Sequence, residues 1–352
     1  MFGPRRFSEY EERANGKCDG KRTRQNRWSG EGVGKTFSWR MNRACQSLDE
    51  VVAEILAMVA RDRKTSPEEG VEYFFRGETC NHAHPGNPYL DTAFDPLLDR
   101  EDGRWWKNER KLYEEAMRLN VASFTEDRTM AERVARMQHY GLPTRFADLS
   151  ENALLSVCFA AGGGGDDAAQ HAEEDGFIRV IKVAADKMKS FTSDIITAIA
   201  HLPLVCCANV NPGRKGGIEY LTYEILRERP GFSGENDWPG IGDVLRRDIQ
   251  QVWAFKPIVN SARLRNQGGV FLAFGCRDGK EPLHPSFSPA DYNNKSSPSR
   301  GIAQVGFIRL AAQSKKRILK ELRWFGMPEE RIYPELADVC KVLKKRYKEM
   351  KA

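Results

Sequence analysis

Between Met137 and Ala160 the chain reads MQHYGLPTRFADLSENALLSVCFA. The first half is polar and turn-forming, the second an apolar run. His139, Thr144, Arg145 and Asp148 bring an imidazole, a hydroxyl, a guanidinium and a carboxylate close together in the chain. An imidazole and a carboxylate can move protons, and a guanidinium can hold an oxyanion in two-point fashion. The same residues also have a purely structural reading. His139 and Tyr140 would satisfy backbone groups at a helix end, with Gly141 as the residue after the cap. Pro143 would form the turn, and Arg145 would bridge Asp148.

Other stretches offer weaker chemistry. SGEGVGKTF (Ser29–Phe37) invites a phosphate-loop reading, but Ser29 stands where the motif needs its first glycine, and KRTRQNRW precedes it in place of an apolar strand. CNHAH puts Cys80, His82 and His84 at alternating positions, as metal ligands on an extended segment could be. With no fourth ligand legible and a Pro/Gly-rich surrounding, a solvated loop and no metal are expected. Cys206 and Cys207 sit in an apolar run and read as buried thiols. Glu224, within YLTYEIL, reads as surface charge on a strand. No grouping of Asp and Glu with Lys suggests a two-metal nuclease.

The elements that must position these residues begin at Ser47. SLDEVVAEILAMVARD has helical spacing, with Ser47 as N-cap and Glu50 three residues on as in a capping box. VEYFFRG reads as a strand ending at Gly77, followed by a Pro- and Asp-rich loop over 81–102. Helices are expected over Trp105–Leu119 and TMAERVARMQHYG, a short strand after GLPT, and a buried helix in ENALLSVCFAA capped by Ser150. Further strands are expected at FIRVIKV, LPLVCCANV, QVWAFKPI, GGVFLAF and VGFIRL. Gln313–Phe325 and ELADVCKVLKKRYKEM read as basic helices. Strands and helices interspersed without a βαβ repeat predict an α+β fold.

At 352 residues, 40% hydrophobic and 30% charged, the chain can bury one large core or two modest ones. No apolar run reaches the roughly 20 residues that span a bilayer, and the opening residues lack the core of a secretory signal. Eight cysteines without a CxxC pair fit reduced thiols in a cytoplasmic protein. The net charge of +6 is uneven: residues 1–46 carry +6, residues 313–352 carry +6 and the body between them −6. Residues 1–46 read as a basic, flexible arm, and 47–352 as the folded domain, with a surface insertion at 162–176. Two basic ends on an acidic body could recruit nucleic acid through Arg22, Arg24, Arg27, Lys344, Lys345 and Arg346, with aromatics beside Arg in NRW and RWW. Solubility alone would also account for such ends.

Four ordered motifs carry a resemblance. FFRGE (Phe74–Glu78), MQHYGLPTRFADLS…ALLSVCFA, RLRNQGGVF (Arg263–Phe271) and ILKELRWFGMPEERIYPEL (Ile318–Leu336) resemble the FRG domain family over roughly residues 47–340. The family usually reads Leu-Leu-Asp-Trp-Thr where this chain has Phe146-Ala147-Asp148-Leu149-Ser150, so Leu149 replaces an aromatic. The motif order is also similar to that of ADP-ribosyltransferases. That similarity implies an α+β fold with a split mixed/antiparallel sheet core and flanking helices.

It further implies NAD as substrate, without a metal. Arg76, flanked by Phe75 and Gly77 and followed by Glu78, would bind the phosphate and ribose. Thr144, Arg145 and Ser150 would line the second strand, and Gln267 would stand where a catalytic glutamate is usual. Gln267 can bond the ribose but cannot ionise, so Asp148, Glu78 or His139 would have to serve as any base. Bland rivals remain: Arg76 as a structural ion-pair partner and Gln267 as a loop anchor. The reading this supports is a toxin- or defence-type ADP-ribosyltransferase acting on nucleic acid, a DNA base being favoured, with an antitoxin or immunity protein as a further partner. An NAD glycohydrolase and a non-catalytic nucleotide-sensing or protein-binding module are its alternatives.

Overall fold

The computed structural model describes residues 43–80, 104–163, 170–206, 215–228, 241–258, 262–276, 282–283 and 287–349. Of the two units into which the chain divides, Met1–Met41 and Asn42–Ala352, only the second contains described residues. Arg22, Arg24, Arg27, the phosphate-loop decoy, His82 and His84 lie outside them.

Helix α1 (Leu48–Thr65) buries Leu48, Val51, Ile55 and Met58, a stripe at three- and four-residue spacing. Asp49 and Glu50 in its first turn and Arg63 and Lys64 in its last complement the helix dipole. The capping box is displaced by one residue: Ser47 makes no side-chain cap bond, and the Glu50 carboxylate accepts from the backbone N–H of Gln46 at 2.7 Å. Strand β1 (Glu72–Glu78) follows, then α2 (Arg104–Lys107), α3 (Glu109–Leu119), α4 (Met130–His139), β2 (Phe146–Ser150), α5 (Ala153–Ala160) and β3 (Gly176–Val183). After β4 (Met188–Ser190) come α6 (Asp194–Cys206), α7 (Lys215–Glu228), α8 (Ile241–Asp248), β5 (Val252–Lys256), α9 (Ala262–Gln267) and β6 (Gly269–Phe274). The described chain ends with α10 (Pro289–Tyr292), β7 (Ile302–Leu310), α11 (Lys315–Trp324), α12 (Glu329–Ile332) and α13 (Leu336–Glu349).

The strands form one mixed sheet in the order β4-β5-β6-β2-β1-β3-β7, with β4 parallel to β5 and the other neighbours antiparallel. Strands and flanking helices give the expected α+β class. Among the described residues no helix is long and apolar enough to cross a membrane.

Alternation along the strands divides the core. Phe75, Ile178 and Val180 pack with α1, α5 and α11, and Phe146, Phe255 and Phe271 with α4 and α6. Phe74 projects the other way, into a cluster with Ala147, Leu149, Ile181, Val270 and Leu272.

Three expectations are corrected. LPLVC is the end of α6, with Pro203 inside the helix. Ile195, Ile196, Ala198, Ile199, Ala200 and Leu202 are all buried, so no amphipathic period marked the segment as helical; residues 207–210 lie outside the described set. Glu224 lies on helix α7, not a strand, and is buried to 8% exposure. The region Trp105–Leu119 breaks at Asn108 into α2 and α3.

Candidate functional site

β1 meets its two neighbours unequally. It is in register with β3 along its whole length, from Glu72 opposite Val183 to Glu78 opposite Phe177. With β2, among the described residues, it shares one register pair, Phe75 opposite Ser150. β2 in turn pairs with β6 from end to end. Two well-paired groups of strands therefore join at a seam, and the seam lies beside the FRG tripeptide.

Arg76 sits at that seam. Its Nη1 donates to the Asp148 carbonyl at 2.9 Å and its Nε to Glu78 Oε1 at 3.1 Å. The other oxygen of Glu78 accepts from Arg179 Nε at 2.9 Å, and Arg179 also reaches Gln304. The group is an Arg–Glu–Arg triad of net charge +1. Glu78 and Arg179 are buried, while the Arg76 side chain keeps 17% of its surface exposed. Arg76 Nη2 makes no hydrogen bond among the described residues, so one edge of this cation faces outward.

Gly77 is required by packing. A Cβ there would lie 1.9 Å from the backbone oxygen of Ser156 and 2.9 Å from the amide nitrogen of Ala160. Only glycine lets β1 lie this close to α5.

The register places Asp148 on the face of Phe75, against α5, and Arg76 on the other face. Arg76 bonds the Asp148 backbone, and the strand separates it from the Asp148 carboxylate. Thr144 and Arg145, expected at the ligand, are 0% and 1% exposed. The Thr144 hydroxyl donates to Gln138 Oε1 at 2.7 Å and accepts from the Phe146 N–H at 3.1 Å. Arg145 donates through Nε and Nη2 to Glu109 of α3, the shorter bond 2.7 Å, and Tyr113 donates to the same carboxylate at 2.9 Å. Burial, then the Glu109 charge, holds the Tyr113 phenol well above its usual range. The partner expected for Arg145 was Asp148; the partner bound in two-point fashion is Glu109, 36 residues away in sequence.

His139 is the last residue of α4, buried, with its ring edge-on to Tyr140. Gly141, at φ +83°, closes the helix: Leu142 N–H donates to Met137 O, and Gly141 N–H to Gln138 O. Together these bonds make a Schellman motif.

Ser150 and Gln267 come together. Ser150 Oγ donates to the Gln267 carbonyl at 2.8 Å and accepts from the Asn152 N–H at 3.0 Å. The cap of α5 is Asn152, not Ser150, its Oδ1 accepting from Leu154 and Leu155. Gln267 ends α9; Gly268 at φ +52° turns the chain into β6. Asn266 Nδ2 ties this turn to the Arg331 carbonyl of α12 at 2.7 Å.

Of the basic residues assigned to nucleic acid, Lys344 is exposed on α13, while Arg346 pairs with Glu330 at 2.6 Å. Lys345 is on the same helix, its side chain outside the described set. Trp324, Phe325 and Tyr347 are exposed nearby in sequence, and Trp105 and Trp106 are half-buried. A separate groove of about 500 Å³ lies at the far end of β1, lined by Arg63, Glu68, Glu69 and Tyr73.

Sequence reasoning missed Arg179 and Glu109. Arg179 had one signal, a charge inside an otherwise apolar strand run, which must find a partner when buried. Glu109, within WKNERKL, had none.

Residues 72–168, which include β1 through α5, match the model of the FRG domain. RLRNQGGVF and the C-terminal helices lie beyond the matched part. No curated protein and no solved structure matches the chain.

Proposed function

We propose that this FRG domain binds NAD at the seam between β1 and β2 and transfers its ADP-ribose to a nucleic acid, a DNA base being the favoured acceptor. The observation that carries the reading is the outward edge of Arg76 in a triad of net positive charge, at the point where the sheet pairs least. A pyrophosphate would take that edge, because a guanidinium offers paired donors and cannot lose its charge. Gln267 is two strands away, its backbone fixed by Ser150, and its amide can bond a ribose hydroxyl.

In the reaction the bond from C1′ to the nicotinamide nitrogen breaks, and its electron pair neutralises the pyridinium. Positive charge builds on the ribose, as in glycoside cleavage. The acceptor then forms a bond to C1′ and sheds its proton. Both oxygens of Glu78 already accept from guanidiniums, and Gln267 cannot accept a proton as a base does. With the Asp148 carboxylate across the strand from Arg76 and His139 buried at the end of α4, the acceptor in this reading is nucleophilic unaided, which favours a ring nitrogen of a base over a protonated arginine.

Incubating the full chain with NAD and DNA, RNA or protein, followed by mass spectrometry, tests this. Nicotinamide release with a mass gain on nucleic acid is expected, and Arg76→Ala should abolish both. Release without any acceptor means that water takes the ADP-ribose. Unchanged NAD with every acceptor class overturns the proposal. Gln267 in the usual place of an acid favours a second reading, a non-catalytic nucleotide-sensing module; calorimetry would then show NAD binding without turnover.

A further inference from the structure

Just past β1, three side chains of different chemistry converge outside the seam. The chain brings Cys80 Sγ, a ring nitrogen of His171 and a carboxylate oxygen of Glu174 within 4.8 Å of one another. His171 and Glu174 lie within the expected surface insertion, 91 and 94 residues after Cys80. Cys80 is 3% exposed, which corrects the solvated-loop reading for that residue. His171 Nδ1 stands 2.7 Å from Glu174 Oε1, and the Glu174 side chain is 56% exposed.

Lys315 holds the two segments together. Its buried Nζ donates to the carbonyl of Thr79 at 2.7 Å and to that of His171 at 2.9 Å. The residue before Cys80 and the backbone of His171 are thus clamped by one side chain from α11.

We propose that Cys80, His171 and Glu174 form a binding site for a divalent transition metal of the zinc class. A thiolate, an imidazole and a carboxylate are the donors such an ion takes, and their mixture of soft and hard atoms disfavours calcium or magnesium. Bonds of about 2.3 Å to sulfur and 2.0 Å to nitrogen at a tetrahedral angle put neighbouring donors about 3.5 Å apart. The present spread of up to 4.8 Å closes by about 1 Å, which the exposed Glu174 on its turn allows. On binding, the Cys80 thiol gives its proton to solvent, and thiolate plus carboxylate neutralise the dication. Three protein donors leave a fourth position for water. The site is independent of the NAD reading and stands or falls without it.

Full-length protein without a histidine tag, desalted after incubation with zinc, should retain one equivalent by elemental analysis. Cobalt(II) in its place should give a sulfur-to-cobalt charge-transfer band and tetrahedral visible bands. Cys80→Ser should remove the charge-transfer band. His171→Ala, on a surface turn, should weaken zinc by more than the roughly 10- to 100-fold that losing an outer-shell partner costs, with unchanged far-ultraviolet circular dichroism in the absence of metal. Failure to retain zinc, a cobalt spectrum without the sulfur band, or binding unaffected by His171→Ala would each overturn the site. The His171→Ala arm keeps the test decisive if Cys80→Ser does not fold.

Discussion

Two arginine–carboxylate groups flank the same strand, and they are built to opposite ends. Arg145 and Glu109 are each 1% exposed at the side chain, and Tyr113 adds a further bond to the carboxylate. Arg76 and Glu78 use the same chemistry, yet Arg76 keeps one edge outward, at 17% side-chain exposure, while Arg179 secures the carboxylate from behind. The first group is closed: its charges serve each other, and its removal would be felt as lost stability. The second leaves a cation available, and under the proposed function its removal would be felt as lost binding. Arginines carried by neighbouring motifs of one family pattern therefore need not share a role; the partner decides.

The largest effect that can break this contrast is at Glu109. Glu109→Ala removes the two-point partner of the buried Arg145, and should cost about 3–5 kcal/mol in urea unfolding; a loss below about 1 kcal/mol would erase the distinction. Gly77→Ala comes next. Its methyl meets the Ser156 carbonyl, so β1 or α5 must move, and a loss of about 1–3 kcal/mol or more is expected from thermal unfolding. Arg76→Ala should cost only about 1 kcal/mol, because Arg179 still holds Glu78. Calorimetry should show it losing NAD binding while Glu109 variants that remain folded retain it.

The smallest effect concerns another buried cation, Lys187, which donates to Gln251 Oε1 and lies 4.2 Å from the centre of the Trp253 ring. Burial pushes its ammonium down to about 8, partly opposed by Asp186. An unfolded lysine titrates near 10.4, so between about pH 8 and 10.4 the unfolded chain binds more protons, and stability rises with pH. The rise is a fraction of the about 1.4 kcal/mol per pH unit that a whole proton carries. Subtracting the pH profile of Lys187→Met should isolate it. A flat difference would mean that this lysine, like the arginines, keeps its charge.

What could be read from the sequence follows from range. β1, β2, β3, β5, β6 and β7 are short apolar runs ended by glycine or turn residues, a signal contained in a few neighbours. β4 is three residues long and exists because β5 offers an edge, which no local pattern records. The end of α6 was misread because a helix buried on every side has no polar face to set its period. Arg76 was legible through its tripeptide, but its settings were not: Arg179 binds Glu78 across 101 residues, and Glu109 binds Arg145 across 36. A charge shows in a sequence; its distant partner does not. The side chains gathered beside Cys80, His171 and Glu174, come from 91 and 94 residues on, a grouping no local pattern records.

The seam between β1 and β2 also governs how the chain can be cut. β4, β5, β6 and β2 lie on one side of it, β1, β3 and β7 on the other. In chain order the backbone passes from β1 to β2, back to β3, over again to β4 and finally from β6 back to β7, four crossings in all. Neither side is a contiguous segment, so no single truncation yields one without strands of the other. A joint that shares one register pair in space among the described residues is thereby stitched along the chain, and neither half can be inherited alone.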